Sequence, residues 1–193
     1  MVEAFEPDRT EVYKTTEEGE LSVDIFRATD AEPSGRVPGI VFFHGGGWNG
    51  GSPEQFHPHC RYLARRGMVA MSAQYRLRDV HGTTPYECVK DGKSAVRWIR
   101  CNAEGLGLDP KRLAAGGGSA GAHVAAATAA LSGFEEPDED HSISSRPDAL
   151  VLFNPVFDNG PDGFGYERVR ERWREFSPLH NVDASMPPAI VCL

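Results

Sequence analysis

Two short glycine-rich segments hold the residues whose types and spacing could do chemistry. The first is Gly117-Gly118-Ser119-Ala120-Gly121, a G-x-S-x-G set between an apolar run and an alanine-rich stretch. A serine hydroxyl becomes a useful nucleophile when a sharp strand-to-helix turn thrusts it out of the backbone, and such a turn has room only for small neighbours. The helix that follows aims its N-terminus at the reacting centre and favours negative charge developing there. The amide of Ala120, the residue after the serine, is one donor for that charge. The second segment is His44-Gly45-Gly46-Gly47-Trp48, placed where a loop leaving a buried strand lays backbone N–H groups over the edge of a sheet. An oxyanion hole needs such donors, and glycine lets the main chain approach a substrate with no side chain between them. Together the two segments predict acyl transfer through Ser119.

The elements that must position them can be read from apolar spacing. Residues 10–28 alternate apolar with polar around Glu18-Gly19, which predicts a half-exposed hairpin. Residues 39–43 and 68–72 are continuous apolar runs, suited to strands buried on both faces of a parallel sheet. Between them residues 53–66 read as a helix, with Ser52 as cap, Pro53 at its first position and Gly67 as its stop. Residues 86–103 place Val89, Ala95, Val96 and Ile99 on one helical stripe. A strand at 112–116, a helix at 120–131, a strand at 148–153 and the start of another at 189–193 follow. Strands alternating with helices predict an α/β fold, a doubly wound and mainly parallel sheet, in one domain over residues 1–193. Residues 166–176 bring Tyr166, Val169, Trp173 and Phe176 near one face and predict an amphipathic helix over the pocket. Residues 134–146, with Glu135, Glu136, Asp138, Glu139 and Asp140, read as a solvated loop too charged to pack.

Composition narrows the function classes. The chain has 193 residues, of which 40% are hydrophobic and 25% charged, and a formal net charge of −8. That acidic balance disfavours nucleic acid and anionic membrane as partners, since both demand clustered Lys and Arg, and a neutral small molecule fits better. The four cysteines, Cys60, Cys88, Cys101 and Cys192, lack the close spacing of a zinc site and are expected to be buried thiols. The first residues lack a basic segment followed by an apolar one, and no apolar run is long enough to cross a bilayer, so the default expectation is the cytoplasm.

Four segments, His44-Gly-Gly-Gly-Trp48, Ala73-Gln-Tyr-Arg-Leu77, Asp91-Gly-Lys-Ser-Ala-Val-Arg-Trp-Ile99 and Gly116-Gly-Gly-Ser-Ala-Gly-Ala-His123, give the chain its family likeness. It resembles the hormone-sensitive-lipase-like and carbohydrate-acetylesterase branches of the α/β-hydrolase superfamily from about Glu20 to the last residue. The resemblance implies that Ser119 attacks an ester carbonyl and that Gly46, Gly47 and Ala120 form the oxyanion hole. It implies no metal and no organic cofactor, and a small ester substrate, with acetyl or feruloyl groups on plant-type sugars first. Trp48 would stand at the acyl or alcohol side of the pocket, or be a rim tryptophan packed for stability.

The same resemblance sets the triad in the order serine, acid, histidine, with the acid just beyond the strand after Pro187-Pro188. Leu193 falls inside that strand. The expectation is therefore an α/β-hydrolase sheet lacking its last strand and helix, without acid or histidine, inactive as it stands and open to self-association through the C-terminal edge strand. The residues present that could stand in for the missing groups are His123, His180, Asp183 and Asp158. His123 reads as a packed helix histidine, and His180 and Asp183 fall before the final strand, at the end away from the serine. Asp158 lies at the correct edge, as a pocket or catalytic carboxylate or as a loop cap. His57-Pro58-His59-Cys60 has the composition of a metal cluster without the further ligands one needs. Two other readings remain open, a non-catalytic binder of a small ester, hormone or sugar, and a prolyl-oligopeptidase-type peptidase, which the H-G-G-G loop argues against.

Overall fold

In the computed structural model, which describes residues 5–27 and 36–193, the alternating N-terminal segment forms a hairpin of β1 (Arg9–Thr16) and β2 (Gly19–Phe26). Ala28, the expected end of that hairpin, lies outside the described residues. The apolar runs become β3 (Val37–Phe43) and β4 (Val69–Ala73), followed by β5 (Leu108–Gly118), β6 (Ala149–Phe153) and β7 (Ala189–Cys192). They form one sheet in the order β1-β2-β4-β3-β5-β6-β7. β2 pairs antiparallel with β1 and β4, and the strands from β4 to β7 in that order pair parallel.

The helices are α1 (His57–Ala64), α2 (Arg78–His81), α3 (Pro85–Cys101), α4 (Ala103–Leu106), α5 (Ala120–Ala130), α6 (Tyr166–Val169) and α7 (Trp173–Phe176). Successive residues of β3 show why the central strands carry no polar alternation. Val41 and Phe43 enter the core shared with Val89, Val96 and Ile99 of α3 and Val124 of α5. Ile40 and Phe42 enter a second core with Cys60 and Ala64 of α1. Helices therefore cover both faces of the sheet, as a parallel sheet requires, and the α/β doubly wound expectation holds.

Two expected helices are broken. Residues 53–66 divide into a 3₁₀ turn, Pro53–Phe56, and α1, and Ser52 is extended with no side-chain cap bond. Pro58 explains the break: it has no N–H to carry the earlier turn onward, yet it fits the first turn of a new helix. Residues 166–176 form two single turns, α6 and α7, which are too short to hold by propensity and depend on the burial of Val169 and Phe176. α3 is better framed, since Thr84 and Glu87 make a reciprocal capping box around Pro85.

Residues 134–146 are not a solvated excursion. Glu135 accepts from Lys93 and Arg97, each at 2.7 Å. Glu136 accepts from Lys14 at 2.7 Å and Arg76 at 2.9 Å, and Glu139 pairs with Arg97. The cause lies on α3, which turns Lys93 and Arg97 into the interior, where a buried charge needs a partner. Burial alone would raise the Glu135 and Glu136 carboxyls. The hydrogen bonds and charge of Lys93 and Arg97 on the first, and of Lys14 on the second, hold both below the usual carboxylate range. Cys60 and Cys88 are buried free thiols, whereas Cys101 and Cys192 are exposed, because one ends α3 and the other lies on the outer strand β7.

Candidate active site

β5 brings Gly117 and Gly118 to the carboxyl edge of the sheet, α5 starts at Ala120, and Ser119 makes the corner between them at φ 53°, ψ −117°. This is a strained conformation for a residue with a side chain, costing on the order of 1–3 kcal/mol, and it persists only where neighbours over-determine it. The Ser119 N–H donates to the Phe153 carbonyl at 2.9 Å, and the Ser119 carbonyl accepts from the His123 and Val156 N–H groups at 3.1 and 3.5 Å. Gly121 is required here: a Cβ on it would lie 2.0 Å from the Phe43 carbonyl oxygen and 2.3 Å from that of His44. Only glycine lets α5 begin flush against the end of β3. Ser119 is exposed, and its hydroxyl makes no hydrogen bond with the described residues.

The glycine-rich loop after β3 lies beside this corner, since a Cβ on Gly45 would come within 3.6 Å of the Ser119 Cβ. Every described peptide is trans, so an anchored carbonyl aims the following amide the opposite way. The Gly45 carbonyl accepts from His44 Nδ1 at 2.9 Å, which turns the Gly46 N–H away from that ring. The Gly46 carbonyl accepts from Asn49 and Gly50 at 3.0 and 3.3 Å, which turns the Gly47 N–H outward. The Ser119 carbonyl is held by the first turn of α5, so the Ala120 N–H points away from the helix body. Neither the Gly46 nor the Gly47 N–H has an acceptor among the described residues. Ala120, as the first residue of α5, has none within the helix. Burial pushes the His44 imidazole below the ordinary histidine range, so it stays neutral and donates through Nδ1. An exposed hydroxyl beside unpaired amides has the parts needed to add to a carbonyl carbon and hold its oxygen.

A family model described as BD-FAE matches residues 23–159, a span that contains both the loop and the corner. The chain belongs to the BD-FAE family. Carboxylesterase NlhH of Mycobacterium tuberculosis is 37% identical over 97 residues, which are 49% of this chain and 30% of that protein. An AB hydrolase superfamily protein of Schizosaccharomyces pombe is 34% identical over 169 residues, covering 83% of this chain and 44% of that one. The chain thus spans less than half the length of these curated relatives. Among solved structures, esterase 2 of Thermogutta terrifontis phosphoramylated by tabun superposes with a TM-score of 0.89 at 45% identity, over 95% of this chain and 69% of that one.

Within this BD-FAE chain several residues sit differently from their sequence-based placement. Trp48 does not line an open pocket: its ring is fully buried, packed on His123, Phe164 and Phe176 at 5.1, 5.6 and 6.0 Å between centroids. His180 is not at the far end of the sheet. Its turn, Pro178–Asn181, docks on the loop leaving β6, through the Leu179 N–H on the Phe157 carbonyl at 3.0 Å, and His180 Nδ1 lies 3.9 Å from Asp158. Asp158 caps the Gly160 N–H at 2.7 Å, while Asp183 bonds Ser185. His57 pairs with Asp24 at 2.9 Å, His59 lies among the rings of Phe42, Phe56 and Phe153, and no metal-holding cluster occurs among the described residues. No helix of the described residues is long and apolar enough to cross a membrane.

His123 is buried and donates from Nε2 to the Phe176 carbonyl at 3.2 Å. Burial pushes its pKa down to about 4, so it is neutral at pH 7 and faces the core rather than Ser119. The unfolded chain takes up a proton near pH 6.5 that the native residue refuses until about pH 4. Stability therefore falls through this residue as pH drops across that window. His123→Gln removes that part of the slope in urea midpoint against pH, and an unchanged slope would contradict the assignment. Sequence reasoning missed Gln55, which accepts from the Gly45 N–H at 2.6 Å, and Arg168, which donates to the Gly47 carbonyl at 2.6 Å. Tyr75, inside a motif already singled out, donates to the His44 carbonyl at 2.7 Å.

Proposed function

We propose that the protein carrying this chain is a carboxylic ester hydrolase that works through an acyl-Ser119 intermediate. The observation that supports it best is an exposed, unbonded Ser119 hydroxyl beside a glycine loop whose Gly46 and Gly47 amides have no acceptor among the described residues. Ser119 Oγ bonds to the ester carbonyl carbon and gives its proton to a general base, while the carbonyl oxygen becomes an oxyanion held by the Gly46, Gly47 and Ala120 amides. Collapse breaks the bond to the alcohol, which leaves with a proton, and water then releases the acid from the serine by the same two steps. No histidine side chain among the described residues hydrogen-bonds the Ser119 hydroxyl, and the matched esterase chains are longer.

The relatives named as carboxylesterases support ester chemistry, and the propionate- and butyrate-bound forms of Thermogutta terrifontis esterase 2 support a short acyl group. Acetylated sugars are the first substrate class on this reading, feruloylated sugars the second. The test offers the full-length protein 4-nitrophenyl acetate, 4-nitrophenyl butyrate and a peptide 4-nitroanilide. Ester turnover without anilide turnover is the expected result. Comparable anilide cleavage would replace the reading with a peptidase, and binding without turnover would replace it with a carrier.

A further inference from the structure

The geometry points to Tyr75 and Gln55 as positioning residues that clamp one peptide bond and thereby set the oxyanion loop. This rests on the esterase reading and adds to it the groups that keep the hole in place. The peptide joining His44 to Gly45 is gripped at both ends: Tyr75 donates its hydroxyl to the His44 carbonyl at 2.7 Å, and Gln55 Oε1 accepts the Gly45 N–H at 2.6 Å. The Tyr75 ring also stacks on the His44 imidazole, 4.4 Å between centroids and 17° from parallel. That imidazole in turn holds the Gly45 carbonyl, whose peptide carries the Gly46 N–H. One run of contacts thus fixes two successive peptides before any substrate arrives.

The two clamps come from different elements. Tyr75 is buried just beyond β4, with its ring centroid 6.4 Å from that of Phe43 on β3. Gln55 is exposed on the 3₁₀ turn Pro53–Phe56, whose Pro53 carbonyl accepts from Ser72 on β4 at 2.8 Å. A loop of consecutive glycines has no side chains of its own to hold it, and Gly46 stands at φ 128° with the Gly50 carbonyl where a Cβ would be. Donors that stabilise an oxyanion act without reorganisation only if they are fixed beforehand. The flanking residues supply that fixity, and neither needs to touch the substrate.

The test uses the full-length protein with Gln55→Leu, Gln55→Glu, Tyr75→Phe and Ser119→Ala. Gln55→Leu keeps bulk and loses the acceptor, Gln55→Glu keeps an acceptor oxygen, and Tyr75→Phe keeps the stacked ring and loses the donor. For 4-nitrophenyl acetate, Gln55→Leu and Tyr75→Phe each lower kcat about ten- to a hundredfold with KM little changed. Gln55→Glu recovers most of the Gln55→Leu loss. Amide exchange at Gly45 is slow in the unaltered protein and Gln55→Glu, and fast in Gln55→Leu. Wild-type kcat in Gln55→Leu, while Ser119→Ala is dead, overturns the clamp and leaves the esterase reading standing. No recovery in Gln55→Glu despite a slow Gly45 amide also overturns it. Absence of Ser119-dependent turnover overturns the esterase reading itself, and the clamp with it. If Tyr75→Phe does not fold, the exposed Gln55 series decides alone.

Discussion

Ser119→Ala lowers ester turnover by the full-length protein by roughly four to six powers of ten, with substrate affinity little changed and the folded state intact. The size follows from covalency: without Oγ no acyl-enzyme forms, and the amides of Gly46, Gly47 and Ala120 can polarise a carbonyl only for attack by water. What survives is the contribution of binding and oxyanion donors. The fold should not notice the change, because the Ser119 backbone is held by Phe153, His123 and Val156, and its hydroxyl bonds to nothing described. Steady-state kinetics on 4-nitrophenyl acetate with a thermal melt checks both halves. A fall of less than about tenfold would move the nucleophile elsewhere.

Asp91→Ala destabilises the protein by about 3–5 kcal/mol, the usual cost of removing one partner from a buried ion pair. Asp91 is fully buried on α3 and receives the Arg76 guanidinium through both oxygens, Nε at 2.9 Å and Nη2 at 2.8 Å, together with the Arg76 backbone N–H at 2.9 Å and Lys14 at 2.6 Å. Alanine leaves a desolvated guanidinium with Glu136 and Glu18 alone. For a chain of this size each kcal/mol lowers the midpoint by roughly 2–4 °C, so a fall on the order of 10 °C is expected by calorimetry. Glu18→Ala is the control: its contact with Arg76 is 3.3 Å and its side chain 31% exposed. Its loss costs under about 1 kcal/mol. Equal effects of the two changes would show that burial does not govern this network. Because Tyr75 precedes Arg76, the network also steadies the strand end that carries one clamp of the oxyanion loop.

What could be read in the sequence was what local physics decides. The runs at 39–43 and 68–72 had to be central strands, because no charged residue interrupts them and both faces are buried. The turn at 117–121 had to be tight, and the 2.0 Å approach of a Gly121 Cβ to the Phe43 carbonyl shows how tight. Apart from the break that Pro58 puts into residues 53–66, what was misread depends on interactions between residues far apart in the chain. Glu135, Glu136 and Glu139 look like a solvated run until Lys93, Arg97, Lys14 and Arg76 are seen turned inward to meet them. The burial of Trp48 under residues 164–176 was equally hidden in its own segment. Gln55 and Arg168 carry no signal of their own, because a glutamine or arginine that holds one backbone group of another loop has no pattern in its own segment.

The most direct measurement is a crystal structure of the full-length protein phosphorylated by paraoxon, the reagent found on a Thermogutta terrifontis relative. The account predicts phosphorus bonded to Ser119 Oγ and the phosphoryl oxygen within about 2.7–3.1 Å of the Gly46, Gly47 and Ala120 nitrogens. Phosphorus on another residue, or a phosphoryl oxygen turned away from all three amides, would contradict it.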